Sequence, residues 1–394
     1  MAQITSFPGN TPEESDTSLF KRIAKHRISV LIRIIIAIVA IAAIVILSVK
    51  RYKSQIYTDF EIVNSTEKVS LENNAYINNN GSVITYSRDG ISATDDTGKV
   101  IWNMTYEMQN PIVHTASGVV AVCDYNGHNV YLIDGNGKQT EIDTNLPIRD
   151  FCVSKDQTIA TILEDNDNSW INLYSNTGAQ LVEIKASIDK TGYPVAVTLS
   201  GEVLGVTYFY IDGSTMRSSV TFYNFGGIGE NTSDHIVSSY DYADCVIPMI
   251  GFLDDENVFA LGDNRLMFFE GAKKPVSSSD TILAENIVGA YYGDSGVGLV
   301  YYDTSGEHKY RIDLYEKNGK KTVEYGFDID FKDILIHHGQ IAIYNESQII
   351  VLNEEGTEKY SGNLPDSVIF LSATESNRKY IAITKDAVET LEFE

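Results

Sequence analysis

Glu164-Asp165-Asn166-Asp167-Asn168-Ser169 gathers carboxylates and amides within six residues, the hard oxygen donors that calcium prefers. Asp165 and Asp167 are therefore the candidate metal ligands. The segment lacks the glycine and the distal glutamate of an EF-hand loop, and six polar residues in a row suit a solvated acidic turn between two strands better. Gly293-Asp294-Ser295-Gly296-Val297-Gly298 has the glycines of a phosphate-cradling loop but neither the lysine nor the following helix, so it reads as a hairpin turn. His337 and His338 are adjacent, and neighbouring side chains on a strand leave opposite faces, so they are not expected to share a metal. No GxSxG, HExxH or CxxCH occurs, which leaves serine-hydrolase, zincin and haem chemistry without carriers. No catalytic residue is identified and no cofactor is predicted; calcium at Asp165 and Asp167 is the one ion carried forward as an expectation.

The elements that must position such groups begin with an apolar run. From Val30 to Val49 only Arg33 and Ser48 are polar, and twenty helical residues at 1.5 Å each span roughly 30 Å, the thickness of a bilayer core. Ala40, Ala42 and Ala43 are followed by Ile44-Val45-Ile46-Leu47 rather than by a small-residue cleavage site, which favours a retained anchor over a cleaved signal. Arg33 lies near the end of the span, where its stem can carry the charge back to the headgroups. Five cations (Lys21, Arg22, Lys25, Arg27, Arg33) lie on or near the N-terminal side and three (Lys50, Arg51, Lys53) follow, so the positive-inside bias puts the N-terminus in the cytoplasm and the rest outside. The expected organisation is a disordered cytoplasmic tail over 1–27, a transmembrane helix over 28–50, a short linker over 51–57 and an extracytoplasmic domain over 58–394.

Of the 394 residues, 54 are acidic and 30 basic, a net charge of −24. Residues 55–394 alone hold 51 acidic and 22 basic side chains, a net of −29. Such a surface repels phosphates, so nucleic acid is excluded as a partner, and basic or divalent-cation partners are favoured. Three dispersed cysteines, Cys123, Cys152 and Cys245, exclude a disulfide-dense scaffold and a CxxC site. Cys123 and Cys152 read as buried small hydrophobes rather than a bridge.

Beyond the anchor, short apolar segments alternate with Gly, Asn, Asp and Ser clusters, the pattern of an all-β chain. One unit recurs seven times: an apolar strand, then a polar turn ending at Gly98, Gly137, Gly178, Gly227, Gly271, Gly319 and Gly356. The spacings are 39, 41, 49, 44, 48 and 37 residues, and four strands plus turns need about 40, the content of one propeller blade. A strand-turn-strand element precedes each unit, as in 151–160 and 251–260, and 369–383 repeats it. Ser367–Leu371, Lys379–Ile383 and Ala387–Phe393 then supply three strands of a last blade. The alternating segment 58–64 supplies the fourth and closes the ring. The fold class is all-β, an eight-bladed β-propeller preceded by a single transmembrane helix, with seven blades as the alternative. Tyr291-Tyr292 and Tyr301-Tyr302 must each send one ring to either side of a strand.

The blade pattern is similar to that of bacterial quinoprotein-like and WD40-like β-propeller repeats. Ala93-Thr94-Asp95-Asp96-Thr97-Gly98-Lys99-Val100-Ile101-Trp102 resembles the quinoprotein-type repeat, whose consensus ends in Thr-Gly-Lys and a tryptophan; the other copies keep the glycine without the tryptophan, so the resemblance implies the fold and no cofactor. With its anchor, the whole chain also resembles uncharacterised families of membrane-anchored bacterial propeller proteins, from which no activity transfers. Ser87-Arg88-Asp89-Gly90 shares only part of the Asp-box turn of sialidase-type propellers, and no paired glutamate and tyrosine can be placed with it. The expected function is a non-catalytic binding or scaffolding module for envelope proteins or cell-wall components. The alternatives are a quinone-cofactor oxidoreductase or glycan-processing enzyme, and a single-pass envelope sensor.

Overall fold

The computed structural model describes residues 13–53, 56–68, 74–79, 81–165, 168–187, 191–364 and 367–394. They fall into two compact units, one ending at Gln55 and one beginning at Ile56. The first is a single helix, Glu13–Lys53. Within it Ile23–Val45 is long and apolar enough to cross a membrane. The helix corrects the expected boundaries: it includes residues 13–27 of the supposed disordered tail and 51–53 of the supposed linker. The reason is local. No glycine or proline interrupts 13–53, so no helix breaker divides the segment. Residues 1–12 of the expected tail lie outside the described residues.

The second unit is an eight-bladed β-propeller. Among the described residues its strands form eight four-stranded antiparallel sheets. Seven blades are continuous in sequence, at 75–105, 111–143, 148–187, 193–243, 249–282, 287–327 and 333–363. The eighth is composite: Val368–Ala373, Lys379–Thr384 and Ala387–Phe393 are completed by Phe60–Glu67 as the outermost strand. That strand pairs with the last one in the register Phe60↔Phe393 to Glu67↔Ala387, with an irregularity between Ile62 and Asn64. The ring therefore closes as the alternation over 58–64 predicts, and the domain starts slightly earlier than 58, since Tyr57 is buried. First strands of neighbouring blades touch, which places them innermost around the axis.

The repeated glycine turn has one construction. In blade one the Asp95 carbonyl accepts the Gly98 N–H at 3.0 Å while Asp95 Oδ1 accepts the N–H groups of Thr97 and Lys99, each at 3.0 Å. Asp134 repeats this with Asn136 and Lys138, and Asn353 with Glu355 and Thr357. The short side chain takes the place of a backbone acceptor and reverses the chain. Gly137 sits at φ +82 and a Cβ there would lie 2.6 Å from Trp102 Cβ, so both backbone conformation and the neighbouring blade's tryptophan demand glycine. Blade four departs from the pattern. Its third and fourth strands are joined by two short 3-10 turns, Gly229–Asn231 and Ser233–His235, and its second and third strands, Val203–Asp212 and Thr215–Asn224, run to ten residues each. The two long strands lie between Gly178 and Gly227 and lengthen that spacing, the longest of the six, whereas the 3-10 turns follow Gly227.

The core is distributed between blades. Eight apolar clusters among the described residues each join two consecutive blades, from blades one and two around Ile84, Trp102 and Val120 to blades eight and one around Val83, Ile381 and Val388. A buried side chain of this kind contributes about 1.5–3 kcal/mol, so the ring is held by the sum of its interfaces. Tyr301 is buried and its neighbour Tyr302 exposed, as strand alternation requires. All three cysteines are free and buried.

Candidate functional site

Antiparallel blades put the turns between first and second strands on one face, together with the glycine turns between third and fourth strands. On this face Lys155 of blade three forms an ion pair with Asp255 of blade five, and Ser200 Oγ of blade four donates to the same carboxylate at 3.2 Å. Next to it Asp254 accepts the Glu256 and Asn257 N–H groups, each at 2.8 Å, and pairs with Lys317 at 2.8 Å. Burial works to raise the Asp254 carboxyl, but Lys317 and these donors hold it below its ordinary range.

Across blades six, seven and eight the same face carries a second network. Asp294 lies in the two-residue turn Asp294-Ser295 between the paired Gly293 and Gly296, so the glycine-rich segment is the hairpin its sequence indicates. Asp294 Oδ1 accepts the Ser295 hydroxyl at 2.9 Å and the His338 N–H at 2.9 Å. The other oxygen, Oδ2, lies 2.7 Å from His338 Nδ1 and 3.6 Å from His337 Nδ1. Asn377 Nδ2 of blade eight donates to the His338 carbonyl at 3.1 Å, and the Gly339 N–H donates to Ser295 Oγ at 2.8 Å.

This geometry corrects the expectation that the two histidines point apart. The strand Asp333–His337 ends at the first of them, and His338 turns into the left-handed region at φ +48. Strand alternation no longer applies, and the two rings stack with centroids 3.8 Å apart. The nitrogens and the carboxylate oxygen all lie within 4.8 Å of one another, the one such group of three metal-capable side chains among the described residues. Burial pushes the His337 imidazole down, with the Asp294 carboxylate opposing. Burial works to raise Asp294, but its hydroxyl and N–H donors and the two imidazoles leave it lowered.

Beneath this turn lies a buried polar chain. Gln340 Nε2 donates to the Tyr57 hydroxyl at 3.2 Å and the Tyr380 hydroxyl donates to Gln340 Oε1 at 3.0 Å. The Tyr57 hydroxyl also donates to the Asn377 carbonyl at 3.4 Å. Near the axis, Tyr292 of blade six keeps 53% of its surface accessible while protein surrounding its phenol, and Cys152 and Asp150 of blade three, push its pKa up. Asp150 is itself raised by burial to about 6. A larger cavity, about 770 Å³, opens between Tyr76, Tyr86, Asn103 and Met104 of blade one and Ile383 and Val388 of blade eight.

The candidate ligands read from the sequence are elsewhere. Asp165 ends the strand Ile159–Asp165 opposite Asn168, in the turn between second and third strands and thus on the opposite face from Asp294. Its neighbour Glu164 forms an ion pair with Arg149. Asp167 lies outside the described residues. The structure places Asp165 apart from the histidine cluster. The signal that could have found the cluster is the repeat itself: Asp294 and His338 are 44 positions apart, one blade pitch, so equivalent turns of adjacent blades place them side by side.

The model of a family of unknown function, DUF5711, matches residues 52–393. No curated protein matches the chain. Among solved structures, apo AztD from Citrobacter koseri is similar at 9% identity and a TM-score of 0.51, over 75% of this chain and 87% of that one. BamB from Moraxella catarrhalis is 14% identical with a TM-score of 0.47, over 85% of this chain and all of that one. A streptogramin B lyase is 13% identical with a TM-score of 0.46, over 86% of this chain and all of that one. At these identities the likeness is one of fold.

Proposed function

The chain belongs to the DUF5711 family, and from that premise we propose that it is a non-catalytic binding or scaffolding module, held at the membrane by its N-terminal helix. The span lies within Ile23–Val45, and the five cations on or near its N-terminal side (Lys21, Arg22, Lys25, Arg27, Arg33) against the three that follow (Lys50, Arg51, Lys53) orient the propeller to the outside. The partner is an envelope protein or cell-wall component that presents positive charge to an acidic domain.

The observation that carries this reading is the preorganisation of one face. Lys155, Ser200 and Asp255 tie blades three, four and five together, and Asp294, His338 and Asn377 tie blades six, seven and eight. A surface whose turns are fixed before binding loses little conformational entropy when a partner arrives. Loops carried on such a scaffold are where propellers recognise other molecules.

Site-specific photocrosslinking in the native membrane tests this. A crosslinker at Glu256, exposed on the preorganised face, is expected to give discrete protein or glycan adducts, and one at Asp212, on the opposite face, none. Adducts from Asp212 alone, a retained redox chromophore, or conversion of an envelope glycan by the purified protein would replace this reading. Protease added outside intact cells is expected to remove the propeller; full protection would reverse the orientation.

A further inference from the structure

We propose that Asp294, His337 and His338 bind one divalent transition-metal ion of the zinc type on the preorganised face of the propeller. Two imidazole nitrogens and one carboxylate oxygen form a borderline donor set suited to zinc and its neighbours, and poorly suited to calcium or magnesium, which take oxygen ligands. The three donor atoms already lie within 4.8 Å of one another. Ligands about 2.1 Å from a tetrahedral ion sit about 3.4 Å apart. The 2.7 Å and 3.6 Å separations between Asp294 Oδ2 and the two Nδ1 atoms bracket that value, and the stacked rings, 28° between planes, turn on binding so that both in-plane lone pairs meet the ion.

The surroundings orient the donors in the manner of a metal's outer shell. The Ser295 hydroxyl and the His338 N–H both occupy Asp294 Oδ1, which turns Oδ2 toward the imidazoles. Asn377 of blade eight fixes the His338 carbonyl. His338 holds φ +48 without being glycine, a conformation uncommon for histidine and costly unless its surroundings enforce it. Here it brings the second imidazole over the first. The side chains of Asp294 and His338 are 39% and 41% exposed, so solvent reaches the cluster. Three protein ligands leave a position for water or for a donor from a bound partner. The site thus goes beyond a general binding face and is independent of which partner uses it.

The test uses the full chain in detergent, purified without a polyhistidine tag and stripped with chelator. Zn²⁺ alone is titrated against a chromophoric competitor, and Co²⁺ is added as a spectroscopic probe. One tight zinc ion per chain and a visible Co²⁺ d–d band are expected, with affinity lowered roughly 100-fold and the band lost in Asp294→Asn and in His338→Asn. Both variants keep the local backbone: the amide oxygen still accepts the His338 N–H, and asparagine tolerates the left-handed region. Equal zinc affinity in wild type and both variants, with far-UV circular dichroism unchanged, would overturn the proposal, as would a wild-type chain that shows no Co²⁺ band. Photocrosslinking at Glu256 reports on the binding face separately, so either reading can fail alone.

Discussion

Blade eight has two unequal neighbours. Toward blade seven it buries thirteen residues of one cluster, among them Tyr57, Tyr344, Tyr380, Leu391 and Phe393, with Phe60 and Tyr360 packed against them. Toward blade one the cluster holds four buried residues, Val83, Ile381, Ile383 and Val388, and the 770 Å³ cavity lies beside them. The composite blade is therefore secured from one side. The hydrogen-bonded ladder from Phe60 to Glu67 closes the ring, while the apolar energy that holds that ladder in place is concentrated on blade seven. The seam of the propeller lies between blades eight and one.

The strongest way to break this contrast is a pair of truncations. Phe393 is fully buried among Tyr57, Phe60, Tyr360 and Tyr380, so Phe393→Ala is expected to cost about 4 kcal/mol in denaturant unfolding of the full chain. Val388→Ala borders an existing cavity and is expected to cost about 1 kcal/mol, because little new void is created. Equal costs would mean that the seam is as tightly built as the other side.

Acid tests a third interface. His114 stacks edge-on against Phe151 at 4.8 Å between blades two and three, and burial holds its imidazole down to about 4. Between about pH 6.5 and 4 the unfolded chain takes up a proton that the native state refuses, so stability falls as pH falls through that window, by on the order of 2 kcal/mol. Asp150, raised to about 6, works in the opposite direction, since its native state keeps a proton the unfolded chain has lost. His114→Gln is expected to flatten the acid limb of a stability-pH curve, and an unchanged limb would assign acid sensitivity to other groups.

A finer probe is Tyr57→Phe, which keeps the ring and removes the hydroxyl that links Gln340 and Asn377. The expected loss is about 1 kcal/mol, read by the same unfolding experiment; a null result would show that the polar chain adds nothing to the packed side. The smallest effect is at high pH. Burial raises the phenols of Tyr344 and Tyr380, so the native state retains protons that the unfolded chain releases near pH 10. Their contribution is complete below that pH and is lost as pH rises further. Tyr380→Phe is expected to make the thermal midpoint less sensitive to alkali, and a midpoint that falls with pH as in wild type would exclude this phenol as a source.

Much of the architecture was legible because blades repeat. The Asp95 and Asp134 turns announce themselves by residue type, and the alternation over 58–64 identifies a strand whose only use is closure. The helix start at Glu13 is hidden because the polar composition of the first residues resembles that of a disordered tail, although 13–27 contains no helix breaker. The geometry of the histidine pair is hidden by a local rule that stops applying. Alternation holds only while the chain stays extended, and Gly339 directly after His338 marks the turn where it stops. Asp165 stands out by local composition, whereas Asp294 acquires its neighbours only when the ring brings adjacent blades into phase.

The pairing of Tyr57 with Asn377 spans 320 positions, and this separation sets a schedule for biosynthesis. At about 5–20 residues per second, the strand Phe60–Glu67 waits on the order of tens of seconds after leaving the ribosome before its partner exists. Throughout that interval it is an unsatisfied edge. Glu61, Glu67 and Lys68 put charge along it, a composition that discourages premature pairing with other chains. Seven blades can assemble in order during the delay, and the first residues of the domain are the last to find their place.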